Sequence, residues 1–83
     1  GEATGYFLTV PSRQCPEMHR VENLLCNIFD GGTVKVYFCF ADTGQKALAR
    51  HMVVKDDPLL RAELERILGK EHVKVQIAEQ NAK

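Results

Sequence analysis

The chain has 83 residues and a mass of 9.3 kDa, enough for one domain with a single two-layer core but not for a core plus a deep enzymatic cleft. Apolar residues make up 45 % and charged residues 27 %, the proportions of an ordinary soluble globular domain. Lys+Arg and Asp+Glu each number 11, and this zero net charge argues against a general polyanion binder, which needs a clustered cationic excess. No apolar run approaches the roughly 20 residues needed to span a bilayer, and no signal peptide opens the chain. The expectation is a cytoplasmic protein without membrane association. The first residue is Gly rather than Met, as expected of an excised or processed piece.

In chain order, residues 1–5 read as a flexible lead-in. Tyr6-Phe7-Leu8-Thr9-Val10 then predicts a strand, rich in aromatic and β-branched residues and stopped by Pro11. Alternation places Tyr6, Leu8 and Val10 on one face and Phe7 and Thr9 on the other. Pro16 suits the first turn of a helix, where its missing N–H costs nothing. From there Met18, Val21, Leu24, Leu25, Ile28 and Phe29 recur at spacings of three and four, the apolar stripe of an amphipathic helix. Asp30-Gly31-Gly32 is expected to close that helix.

Thr33 to Phe40 predicts the strongest strand. Val34, Val36, Phe38 and Phe40 alternate with Lys35, Tyr37 and Cys39, so one face is wholly apolar. Residues 41–45, with Asp42 and Gly44, form the kind of short loop that joins antiparallel strands. The partner strand lies within residues 46–55. Arg50 breaks its alternation, which leaves the register open and suits a sheet edge. Asp57-Pro58 opens a second helix with an N-cap carboxylate and a proline at the first helical position. Leu60, Leu64, Ile67 and Leu68 form its buried stripe, and Gly69 ends it. The last strand runs from His72 to Ile77, with Lys74 and Gln76 alternating against Val73, Val75 and Ile77. Residues 78–83 lack a pattern and read as a mobile tail.

The order β-α-β-β-α-β over residues 6–77 predicts one α+β domain, a two-layer sandwich with a four-stranded sheet and two helices on one face. The ferredoxin-like arrangement is the expected form, with two right-handed crossovers. A mixed sheet of irregular strand order is the alternative. Either way one sheet face is open, and Phe7, Thr9, Lys35, Tyr37, Cys39, Lys74 and Gln76 are the candidates for it. Of these, Phe7, Thr9, Lys35, Tyr37, Lys74 and Gln76 form the candidate binding set, since an exposed face with two aromatics is a natural partner surface.

Residues that carry chemistry give a weaker signal. Cys15, Cys26 and Cys39 are an odd set without a C-x-x-C pair, as expected of reduced thiols rather than a disulfide framework. Cys26 and Cys39 fall among apolar residues and read as small hydrophobes. Cys15, beside a helix start, is the best nucleophile candidate, although a surface thiol at a turn is the simpler reading. His19, His51 and His72 are scattered and read as solvated surface residues, so no metal site is expected. Asp56-Asp57 could suggest an acid/base or metal pair, but capping already accounts for Asp57. Asp30-Gly31-Gly32 and Thr43-Gly44 lack the following Lys-Ser/Thr of a phosphate loop. No catalytic residue and no cofactor are predicted. An RNA-recognition module of the same element order would stack bases on an aromatic-rich third strand, and the third strand here has no aromatic. Single-stranded nucleic-acid binding and small-molecule regulatory binding stand as alternatives to protein docking.

Residues 6–77 as a whole resemble the C-terminal domain of the bacterial DNA polymerase III alpha subunit, particularly forms from Gram-positive bacteria. The resemblance rests on four runs: Tyr6-Phe7-Leu8-Thr9-Val10-Pro11, the helix ending Leu24-Leu25-Cys26-Asn27-Ile28-Phe29-Asp30-Gly31-Gly32, the strand Thr33-Val34-Lys35-Val36-Tyr37-Phe38, and the closing run from Leu59 to Val73. That last run looks like the family's Leu-x-x-Glu-Leu-x-x-Leu-Leu-Gly-x-x-x-Val ending. Val34-Lys35 lacks the proline often found in the family there. The resemblance implies a non-catalytic module of a DNA-directed DNA polymerase, associated with docking the tau subunit of the clamp loader; weak single-stranded DNA binding is the alternative read from the open face and not from the resemblance. The resemblance transfers no catalytic residue and no individual contact residue.

Overall fold

The computed structural model describes residues 3–77. The elements are β1 (Ala3–Val10), α1 (Pro16–Asn23) continued by a π turn (Leu24–Ile28), β2 (Asp30–Phe40), β3 (Gln45–Val54), α2 (Pro58–Leu68), a 3-10 turn (Lys70–His72) and β4 (Val73–Ile77). Together they form the α+β sandwich that the periodicities predict. The sheet has the order β3-β2-β1-β4. β1 pairs with β2 in parallel and with β4 antiparallel, and β2 pairs with β3 antiparallel. β1 and β2 are thus direct neighbours and the first crossover is unsplit, so the strand order is that of the mixed-sheet alternative. β3 takes an edge, as its broken alternation suggested.

One side of the sheet carries the core. Tyr6, Leu8 and Val10 from β1, Val34, Val36, Phe38 and Phe40 from β2, and Met52 and Val54 from β3 are all buried. They meet Val21 and the leucines Leu24, Leu25, Leu60, Leu64 and Leu68 from the helical layer. The helices contact each other, with α2 over β1 and β4 and the π turn against β2 and β3. Asp57 caps α2 as its sequence predicts, its carboxylate accepting from Leu59 N–H at 2.8 Å. Gly69 ends that helix with a φ of 98°.

Four expectations change. β1 begins at Ala3, so residues 3–5 belong to the sheet rather than to a lead-in; residues 1–2 and the expected tail 78–83 lie outside the described residues. A one-residue irregularity at Thr4 lets Ala3 turn back to the buried side. The first helix is α-helical only to Asn23, after which Phe29 N–H donates to Leu24 C=O at 3.2 Å, a bond across five residues. A π turn rotates less per residue than an α turn, so the stripe falls out of phase. Ile28 is therefore 62 % exposed and Cys26 is exposed rather than packed. Gly31 and Gly32 do not close the helix but form a bulge at the start of β2, where Asp30 and Val34 both face Val54. Cys15 is buried, its thiol donating to Ser12 C=O at 3.2 Å, and is not a surface thiol. In addition β4 starts at Val73, because His72 ends the 3-10 turn with its Nδ1 2.7 Å from Leu68 C=O.

A polar network anchored on one buried hydroxyl ties the second crossover to the central strand. Tyr6 is fully buried, and its hydroxyl donates to Asp56 Oδ1 at 2.5 Å. Arg61 holds the same carboxylate from the other side, donating through Nε and Nη2 at 2.9 Å each. Asp56 lies in the loop before α2 and tethers that loop to β1 and to α2. Burial first, and the Asp56 carboxylate second, push the Tyr6 hydroxyl up to about 12.

The sign of the pH effect follows from that shift. An unfolded tyrosine ionises near pH 10, so above that pH the unfolded chain sheds a proton that the folded chain keeps. The stabilisation is complete below about pH 10 and is lost as pH rises toward 12. Its size is on the order of 2 kcal/mol. In Tyr6→Phe this alkaline loss disappears, and stability at neutral pH falls by about 1–2 kcal/mol as a hydrogen bond to a charged acceptor is removed. Urea unfolding of both proteins between pH 7 and 12 measures the difference, since every other titrating group is common to the two. Asp56 works in the opposite direction. The Arg61 hydrogen bonds, and then that of Tyr6, hold its carboxyl below the usual range. Its contribution is present above the ordinary carboxylate range and fades in acid, and it is small because the pair is about one-third exposed.

Candidate partner-binding face

The outer side of the sheet carries no helix among the described residues. The pairing register lays out its side chains in rows. Phe7 of β1 lies beside Tyr37 of β2 on one side and Lys74 of β4 on the other, and Tyr37 lies beside Leu48 of β3. The row Leu48-Tyr37-Phe7-Lys74 therefore crosses all four strands. Toward the start of β1 stands the row Val53-Lys35-Gly5-Gln76, and toward its end the row Lys46-Cys39-Thr9. All six residues of the predicted set, Phe7, Thr9, Lys35, Tyr37, Lys74 and Gln76, fall on this one face.

Phe7 and Tyr37 form its centre. Their rings stack with centroids 4.6 Å apart and planes 7° from parallel, a consequence of occupying the same row on adjacent parallel strands. Gly5 leaves room for this pair, since a Cβ there would come 3.2 Å from Tyr37 Cε1. Leu48 and Val53, each 38 % exposed, extend the apolar surface onto β3. Neither belonged to the predicted set, and nor did Lys46. The missing information was the register of β3. Its pairing slips by three residues between Tyr37↔Leu48 and Lys35↔Val53, so simple alternation across Arg50 assigns the two halves of the strand inconsistently. The hairpin itself carried the signal, because pairing Gln45 with Phe40 puts Lys46 and Leu48 outward.

The zero net charge of the chain does not describe this face. Among the described residues the strands carry Lys35, Lys46, Arg50 and Lys74 against Asp30 alone. The helices carry Glu17, Glu22, Glu63 and Glu65 against Arg20, Arg61 and Arg66, which leaves them close to neutral. The absence of aromatics from the third strand also matters less than expected, because β2 and not β3 occupies the centre of the sheet beside β1.

Other features are minor by comparison. On the helical side, a groove of about 390 Å³ opens between α1 and the irregular part of β3, lined in part by Met18, Glu22, Phe38, Ala47, Arg50 and Met52. Arg13 lies over the Phe40 ring, 4.4 Å from its centroid. His19, His51 and His72 are exposed. Among the described residues no three His, Cys, Asp or Glu side chains come together, and no helix is long and apolar enough to cross a membrane. No protein-family profile, curated protein or solved structure gives a match to the chain.

Proposed function

We propose that the chain is a non-catalytic protein-docking domain that receives its partner on the outer sheet face. The observation that carries this reading is the solvent-facing Phe7–Tyr37 stack with Leu48 and Val53 beside it. An apolar and aromatic centre within a polar rim is the anatomy of an interface, and clustered aromatic side chains are the usual source of its binding energy. The runs along residues 6–77 that resemble the C-terminal domain of the polymerase III alpha subunit support a specific setting. In it the chain is that domain of a bacterial replicative polymerase acting in the cytoplasm, and the tau subunit of the clamp loader is the partner. Polymerisation is then the work of other parts of the parent protein.

The 83-residue chain, immobilised, is expected to retain the tau subunit of its own organism. Tyr37→Ala should weaken that retention at least about tenfold, the loss of one central aromatic anchor. Failure of the unaltered chain to retain tau overturns the polymerase setting. Single-stranded nucleic acid is the second reading, favoured by one observation: the two aromatics stand side by side on the central strands among lysines. It predicts binding that weakens steeply with salt and is lost in Tyr37→Ala.

A further inference from the structure

We infer that the segment received by the outer sheet face is acidic, with Asp or Glu residues interleaved with large apolar ones. This rests on reading that face as a docking surface. Lys46, Lys35 and Lys74, on β3, β2 and β4, stand around the Phe7–Tyr37 stack, and all three are exposed. The ion pairs among the described residues are Arg61–Asp56 and Arg66–Glu63; neither involves these lysines. Among the described residues this face carries three lysines outside any ion pair and no strand carboxylate beside them, and such a face keeps a positive potential in a chain of zero net charge. It steers acidic segments toward itself and repels basic ones.

The apolar residues define the rest of the occupant. Leu48 and Val53 offer aliphatic surface that a phosphate backbone cannot use, and they suit leucine or aromatic anchors. The two rings close on each other at 4.6 Å, which leaves no slot for a base between them. The outer strands are about 14 Å apart, three inter-strand gaps, so about four extended residues cross the sheet. Side chains of an extended segment alternate in direction, so two of the four face the sheet, and these are the apolar ones that press on the Leu48, Tyr37 and Phe7 row. The acidic residues beside and between them are met by the long side chains of Lys35, Lys46 and Lys74, which stand around that row.

The test titrates the isotope-labelled chain with three probes: a short peptide alternating Glu with Leu and Phe, the same peptide with Lys in place of Glu, and oligo-dT. The expected result is binding of the acidic peptide alone, with the largest amide shifts at Phe7, Lys35, Tyr37, Leu48 and Lys74. Raising the salt well above 0.1 M should weaken it, since the screening length is then below about 10 Å. The Lys35→Glu/Lys46→Glu/Lys74→Glu variant, altered only at exposed positions, should lose affinity at least about tenfold. Equal binding of the lysine peptide, or shifts confined to the helical side, overturns the inference. Oligo-dT binding through the same residues, with no response to the acidic peptide, also overturns it and gives the face to nucleic acid. The tau subunit separates this inference from the reading beneath it. If tau is retained equally by the unaltered chain and the triple variant, the docking reading stands and the acidic-segment inference falls. If the acidic peptide binds and tau is not retained, the inference stands and the polymerase setting falls.

Discussion

Gly32→Ala is expected to destabilise the fold by about 3–4 kcal/mol, among the largest effects of a single added methyl group. A Cβ at this position would lie 2.1 Å from Val54 O, 2.3 Å from Val54 C and 2.5 Å from Lys55 N. These are backbone atoms, so no side-chain rotation relieves the overlap. The strand end must move instead, and it is held on both sides. Lys55 N–H donates to Phe29 C=O at 2.9 Å, and Asp56, the next residue, is bound to Tyr6 and Arg61. Gly31→Ala is the control. Its Cβ would meet nothing within 4 Å, but the residue has a φ of 98°, so the cost is left-handed strain of about 1–2 kcal/mol. Urea unfolding of both variants decides the matter. If Gly32→Ala is no more destabilised than Gly31→Ala, the close approach of β2 and β3 at this bulge is wrong.

Leu8→Ala should cost about 3–5 kcal/mol, at the upper end for a buried leucine. Leu8 is fully buried and sits on β1, one of the two central strands. It lies between Phe38 of β2 and Val73 of β4 in the hydrogen-bonded ladders. Ladders on both sides prevent the backbone from closing the space that the truncation leaves, so most of the cavity term remains. A domain of this size has a total stability of about 4–12 kcal/mol, so the variant keeps a small margin. Its melting temperature should fall by well over about 10 °C. A fall of a few degrees, with an unchanged denaturant slope, would mean that the helical layer collapses onto the gap.

Leu8 belongs to the core side of the sheet, so Leu8→Ala varies stability apart from docking. Gly32→Ala moves Val54 and with it the neighbouring Val53 of the outer face, so its effect on docking is read only alongside its effect on stability. Gly32 and Leu8 test how the sheet is held together, whereas Tyr37 and the three lysines test what it presents. Screening of partners is best done with the exposed lysines, whose replacement removes little packing, whereas Tyr37 is half-buried against Phe7 and its variant needs its stability measured alongside.

The amino-acid sequence by itself determined the order of the four strands and two α-helices and which side of β1, β2 and β4 is buried. These are local properties. The 2-residue alternation of Val34, Val36, Phe38 and Phe40, the Asp57-Pro58 cap and the Leu60, Leu64, Leu68 stripe each act within one element, and their physical causes operate over a few residues. The outward positions of Phe7, Thr9, Lys35, Tyr37, Lys74 and Gln76 follow from the same alternation. Tertiary structure decided what depends on distant parts of the chain. Only the strand order placed Phe7 beside Tyr37, because either of two strands could have lain next to β1 with the same element order. Only the close pairing at Val54 made Gly32 a point of backbone contact rather than a helix stop. The π turn removed Ile28 from the core by a phase change within a stretch whose residue pattern is that of an α-helix. The hairpin register brought Lys46 and Leu48 onto the binding face, and the three-residue slip in β3 added Val53. Pairing partners, register and bulges are settled by which combination buries the most apolar surface while satisfying the backbone, and that choice is made by the whole chain at once.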